Sequence, residues 1–107
     1  MSDKRQFRRF PVYQSTFFKT SNPDEVFECL VHDLSISGIL IESGYHLAED
    51  DIITVAIRYG KKTFSEEIKI VRQMRLITLR FGGIFLSENN VDARREYLQS
   101  IEKQESL

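Results

Sequence analysis

Between Val12 and Leu86 the chain repeats one pattern: a short run of β-branched and aromatic residues, then a cluster of turn formers. Val12 to Thr20 stops at Ser21-Asn22-Pro23-Asp24, and Val26 to His32 ends in Asp33. Ile39-Leu40-Ile41 stands between Gly38 and Gly44, an apolar run suited to a strand buried on both sides. Ile52 to Tyr59 follows the acidic loop Glu49-Asp50-Asp51 and stops at a hairpin signal, Gly60-Lys61-Lys62. Phe64 to Arg72 alternates, with Phe64, Ile68 and Ile70 two or four apart. Leu76 to Leu86 contains Gly82-Gly83, a pair that predicts a bulge or sharp bend and leaves the register of this last strand open. Six short strands in one open sheet leave two unpaired edges unless the sheet closes on itself. The pattern therefore predicts a six-stranded antiparallel barrel.

The period changes at the end. Asn89-Asn90 can cap a helix, and Asp92 falls in the first turn, where the helix dipole favours negative charge. Ala93, Tyr97 and Ile101 then recur every four residues with Leu98 beside them, which gives one apolar face to pack on the barrel. The fold class expected is all-β with a C-terminal helix: a basic arm over residues 1–11, a barrel over 12–88, and a helix and tail over 89–107. The 107 residues fit one domain, spanning 4–103, with a core large enough to need no staples.

Charge is unevenly distributed. Lys4, Arg5, Arg8 and Arg9 against Asp3 give the first eleven residues +3, so the other 96 carry −4 of the net −1. A basic arm on a mildly acidic body suggests a local anion site and disfavours DNA or RNA, whose binding needs many phosphate contacts. The eight Phe and four Tyr fall mostly at alternating strand positions, as core residues do. Cys29 has no partner for a disulfide or a thiolate metal cage, and His32 and His46 lack neighbours at metal-ligand spacing. No apolar run is long enough to span a bilayer, and the N-terminus lacks the apolar stretch of a signal peptide. A cytoplasmic protein without membrane insertion is the expectation.

Two short patterns bear chemistry. In Arg5-x-x-x-Arg9, an extended arm would point both side chains the same way, roughly 13 Å apart. Each guanidinium can give bidentate hydrogen bonds to phosphate and stack on a purine, which lysine cannot do. In Asp33-Leu34-Ser35-Ile36-Ser37-Gly38, Asp33 is acceptor-only and suits a base edge rich in donors, such as guanine N1–H and N2–H₂. Ser35 adds a hydroxyl, and Gly38 permits a tight turn or a close approach.

Taken in order, the two patterns resemble the signature of the PilZ family, an RxxxR arm followed by a [D/N]xSxxG segment. Arg5 and Arg9 match the first, and Asp33, Ser35 and Gly38 the second. The likeness covers about residues 4 to 100. Ile68-Lys69-Ile70-Val71-Arg72 looks like the family's penultimate strand and Leu79-Arg80-Phe81-Gly82-Gly83-Ile84-Phe85 like its closing one. The resemblance implies a non-enzymatic receptor for the bacterial second messenger cyclic di-GMP, with an arm that wraps over bound ligand. Arg5 and Arg9 would hold phosphate and stack on guanine. Asp33 and Ser35 would bond a guanine, and Gly38 would shape the turn beneath it. Lys4 tilts the expectation toward a stacked pair of ligands, and Arg8 can add a phosphate contact. No cofactor or metal is implied, and output would pass to an unidentified downstream protein.

Two other classes compete. A hydrolase triad from His32, Asp33 and Ser35 fails because neighbours in an extended strand face opposite ways. A PilZ-fold adaptor that binds protein and no nucleotide would usually lack one of the two motifs, and this sequence has both.

Overall fold

The computed structural model describes residues 8–22 and 24–105. Six strands, β1 (Phe10–Lys19), β2 (Val26–Leu34), β3 (Gly38–Glu42), β4 (Ile52–Tyr59), β5 (Lys62–Arg75) and β6 (Leu79–Phe85), precede one helix, α1 (Val91–Glu105). All pairings are antiparallel, and the order β1-β2-β3-β6-β5-β4 closes a barrel. The all-β barrel with a C-terminal helix is the architecture the strand spacing called for. No helix among the described residues is long and apolar enough to cross a membrane.

Alternation builds the core. Ile53, Val55 and Ile57 of β4, Ile68 and Ile70 of β5, and Ile39 and Ile41 of β3 are all at most 1% exposed, each two residues from the next on its strand. Fully burying such a side chain stabilises the fold by about 1.5–3 kcal/mol relative to leaving it in water. Tyr59 pairs with Lys62 across a two-residue turn in which Gly60 has φ +69°, the backbone a primed hairpin turn requires at its first position. Helix α1 lays Leu98 into the barrel wall, with Ala93, Tyr97 and Ile101 packed around it, the face its four-residue spacing had marked.

Three irregularities matter for the site. The extra residue near Gly82-Gly83 sits in the opposite strand, at Val71, between the pairs Ile70↔Gly83 and Arg72↔Gly82; β6 itself is unbulged. Its register is fixed by Gly38↔Ile84 through Glu42↔Arg80. Gly83 is needed there because a Cβ would stand 2.3 Å from the Ile68 Cγ2. A second shift, at His32, separates Val31↔Ile41 from Asp33↔Leu40, and a third in β1 spans Val12 and Tyr13. Strand β1 pairs with β4 only at Phe18 and Lys19. Farther along that seam side chains replace the ladder. The Thr16 hydroxyl donates to the Ala56 carbonyl (2.7 Å). The Gln14 amide donates to the Arg58 carbonyl (2.8 Å) and accepts from the Arg58 N–H (3.0 Å), as a neighbouring peptide would.

Candidate functional site

The Asp33–Gly38 segment is the corner between β2 and β3, and its own side chains make it rigid. Ser35 is buried. Its hydroxyl accepts from the N–H groups of Ser37 (3.3 Å) and Gly38 (2.9 Å) and donates to the Gly38 carbonyl (3.4 Å), while its own N–H donates to that carbonyl at 2.9 Å. This is a serine turn closed by its side chain. The hydroxyl is committed to closing the corner. Gly38 opens β3 where a Cβ would come 3.0 Å from the Gly83 carbonyl, so the close approach it permits is to β6.

Asp33 lies on the last stretch of β2, outside the barrel. Val31 and Leu34 are both fully buried, and the shift at His32 leaves His32 and Asp33 together on the outer side between them. The expectation that these neighbours face opposite ways is therefore corrected by the bulge. They still form no relay. His32 Nε2 is 2.6 Å from Glu42 Oε1, whereas Asp33 Oδ1 is 2.5 Å from Arg9 NH1. The hydrogen bond from His32 lowers the Glu42 carboxyl below its ordinary value, against the opposing effect of its own burial.

Of the arm, Arg8 and Arg9 are described, while Lys4 and Arg5 lie outside the described residues. Arg9 reaches back to Asp33, so the second arginine of one pattern meets the first residue of the other, 24 positions along the chain. Arg8 turns the other way. It pairs with Glu102 (3.3 Å) and Glu105 at the end of α1 and sits 4.5 Å from the centre of the Phe10 ring. Arg8, Phe10, Ile36, Arg95, Leu98 and Glu102 border a cleft of about 430 Å³ between arm, corner and helix. A groove of about 640 Å³ lies elsewhere on the wall, lined by Glu28 and Glu42 and by no lysine or arginine, so it is a poor home for an anion.

Sequence reasoning missed what lies under the corner. Arg94 and Glu66 have side chains only 2% and 1% exposed, joined at 2.9 Å. Glu66 also accepts from the Tyr59 hydroxyl at 2.6 Å, and the Arg94 guanidinium stacks 3.7 Å over the Phe85 ring. Arg94 Nε donates to the Ile36 carbonyl, in the middle of the corner, at 2.9 Å. Burial is the main cause of the raised Tyr59 pKa. The signal was present: Arg94 falls four before Leu98 and seven before Ile101 on the apolar helix face, and Glu66 falls on the inward beat of Phe64, Ile68 and Ile70. An arginine and a carboxylate, each at a core position, are partners by elimination. Tyr13 gave no such signal. It takes φ +49° in the β1 bulge and sets its exposed ring edge-on to His32 at 5.8 Å.

Cys29 is buried, which pushes its thiol up to about 12 and keeps it protonated, and no group of His, Cys, Asp and Glu among the described residues could hold a metal. What the site offers is cations and acceptors on a stiff corner. The profile of the PilZ domain matches residues 3–102. The chain belongs to the PilZ family.

The solved structures agree on the fold of this PilZ domain. Escherichia coli YcgR in complex with c-di-GMP aligns with TM-score 0.74 at 20% identity, covering 96% of this chain and 48% of that one. The PilZ domain of YcgR with c-di-GMP, taken alone, aligns at 0.68 and 18% identity, covering 95% and 94%. The Bacillus subtilis inhibitor of motility MotI/DgrA aligns at 0.71 and 14%, covering 94% and 51%. The chain thus spans about half the length of MotI and of YcgR. No curated protein matches it. The PilZ family to which the chain belongs is one of non-catalytic receptor and adaptor domains.

Proposed function

We propose that this PilZ domain binds cyclic di-GMP at the corner between β2 and β3 and acts as a ligand-switched receptor for a partner protein inside the cell. Arg5 and Arg9 bind phosphate and stack on guanine, with Lys4 and Arg8 adding cationic contacts. Asp33 accepts from the guanine edge, while Ser35 and Gly38 hold the corner that presents it. The observation that supports this most is the Arg9–Asp33 pair, because it joins the two sequence patterns at one place on the barrel. YcgR, of the same fold, has been seen with c-di-GMP.

The pair also explains how a site without ligand stays ready. Exposed ion pairs contribute about 0–1 kcal/mol, so opening this one costs little. Charge-assisted hydrogen bonds contribute roughly 1.5–3 kcal/mol each. A dianionic ligand that takes Arg9 onto phosphate and gives Asp33 two guanine donors exchanges one weak contact for several stronger ones. A basic side chain at Lys4 favours two stacked ligands per chain.

Calorimetric titration with cyclic di-GMP tests this. Saturable heat is expected, near two ligands per chain, and it disappears in Arg5→Ala, Arg9→Ala and Asp33→Ala variants. A flat trace for the wild type at high micromolar ligand rejects the receptor and leaves a protein-binding adaptor.

A further inference from the structure

The buried Arg94 network touches the proposed site at one defined atom. Arg94 leaves α1 in its first turn and passes between β5 and the corner. One end of its guanidinium, NH1, meets Glu66 of β5 at 2.9 Å and the Tyr59 hydroxyl of β4 at 3.4 Å. The other, Nε, meets the Ile36 carbonyl at 2.9 Å. Ile36 is the middle of Asp33–Gly38, two residues from the Gly38 close approach and three from the Asp33 carboxylate. The Ser35 hydroxyl closes the corner from within; Arg94 is the only side chain from another element, among the described residues, that hydrogen-bonds to the backbone of residues 34–37. Fixing both contacts at once demands a planar fork with separated N–H groups, and the ring of Phe85 against its face sets the plane.

We propose that Arg94 is a positioning residue for the nucleotide site, holding the corner through the Ile36 carbonyl and so coupling Asp33 to helix α1. The proposal rests on the reading that cyclic di-GMP binds at this corner. It assigns α1 as the element whose stability follows ligand binding: whatever steadies the corner steadies the Arg94 contact, and linkage requires the reverse as well. The outer end of the same helix holds Arg8 through Glu102 and Glu105, so both faces of the site converge on α1.

The test compares Arg94→Lys with Tyr59→Phe. Lysine can keep the contact to Glu66, yet one ammonium on a flexible stem cannot serve Glu66 and Ile36 together. Tyr59→Phe weakens the same buried network and leaves Ile36 alone. In ligand-free protein, amide exchange at Ser37 and Gly38 is expected to speed up at least ten-fold in Arg94→Lys and to change less than two-fold in Tyr59→Phe. Cyclic di-GMP affinity is expected to fall about ten-fold in the first and to hold within two-fold in the second. Unchanged exchange in Arg94→Lys, or equal losses in both variants, overturns the positioning role. Should Arg94→Lys fail to fold, the wild-type Arg94 Nε–H resonance decides. A shift on saturation with ligand supports the coupling, and a static signal overturns it. A wild-type chain that gives no binding heat rejects the nucleotide reading itself, and the ligand-free exchange then still reports whether Arg94 holds the corner.

Discussion

Arginine meets carboxylate on both sides of the corner between β2 and β3, under opposite conditions. Below it, Arg94 and Glu66 are 2% and 1% exposed and share the Tyr59 hydroxyl, and Arg94 also donates to the Ile36 carbonyl. Above it, Arg9 and Asp33 are 44% and 20% exposed, and Arg8 with Glu102 is more open still at 50% and 59%. In water such a contact is nearly free to break; inside the barrel, breaking it strands a charge. The lower contact therefore fixes geometry, and the upper ones are free to exchange partners. Solvent, more than residue type, divides the labour.

The largest effect should come from breaking the lower contact one-sidedly. Arg94→Ala leaves Glu66 buried and uncompensated and is expected to cost about 3–5 kcal/mol in chemical denaturation. The double variant Arg94→Met/Glu66→Leu removes both charges and should recover most of that loss. Recovery of stability without recovery of ligand affinity would separate the two jobs of this network; a double variant as unstable as the single one would show that packing around the pair matters more than its charge.

A smaller effect is expected above the corner. Arg9→Ala should change unfolding stability by no more than about 1 kcal/mol. Raising salt from 0.1 M to 1 M shortens the Debye length from about 10 Å to 3 Å, so cyclic di-GMP affinity should weaken. The destabilisation by Arg94→Ala should scarcely respond to salt. A strong salt response in the buried variant would mean that water reaches Arg94, and the contrast would fail.

The smallest effect concerns an intermediate case, Glu42, whose side chain is 27% exposed beside His32. Its folded pKa is lowered, chiefly by the His32 hydrogen bond. Glu42 then adds stability at pH values above its ordinary, unfolded pKa, and that contribution drains away as pH falls through the lowered folded value. Thermal melts of wild type and Glu42→Gln should differ at neutral pH and converge in acid. Divergence toward acid would contradict the direction of the shift.

The barrel was legible because alternation is a direct record of which face is buried: Ile53, Val55 and Ile57 could face only one way together. Ile52 to Tyr59 was bounded correctly because Gly60 cannot be mistaken for a strand residue. The bulge was placed one strand away from its true position. Glycines show where backbones crowd, but the strand that absorbs the extra residue depends on pairing register, which no local pattern encodes. The two patterns implied that Arg9 and Asp33 stand near each other, though not that they pair directly. The inward rotation of Ser35 follows from the turn it closes, which its residue type alone does not show. Arg94 stands in line with Leu98 on the apolar stripe of α1, so its burial was legible, whereas its contact to Ile36 depends on the corner's fold.

The Gln14 amide bears on how freely the arm's strand can move. From Phe10 to Thr16, β1 is laddered to β2 on one side but fastened to β4 only by pendant groups, the Gln14 amide and the Thr16 hydroxyl. Rotating two side chains unbuttons that margin without tearing a single backbone rung between β1 and β4. The cylinder has a built-in placket at the end nearest Arg8 and Arg9, where side chains alone button β1 to β4, while Phe18 and Lys19 close the far half with backbone rungs.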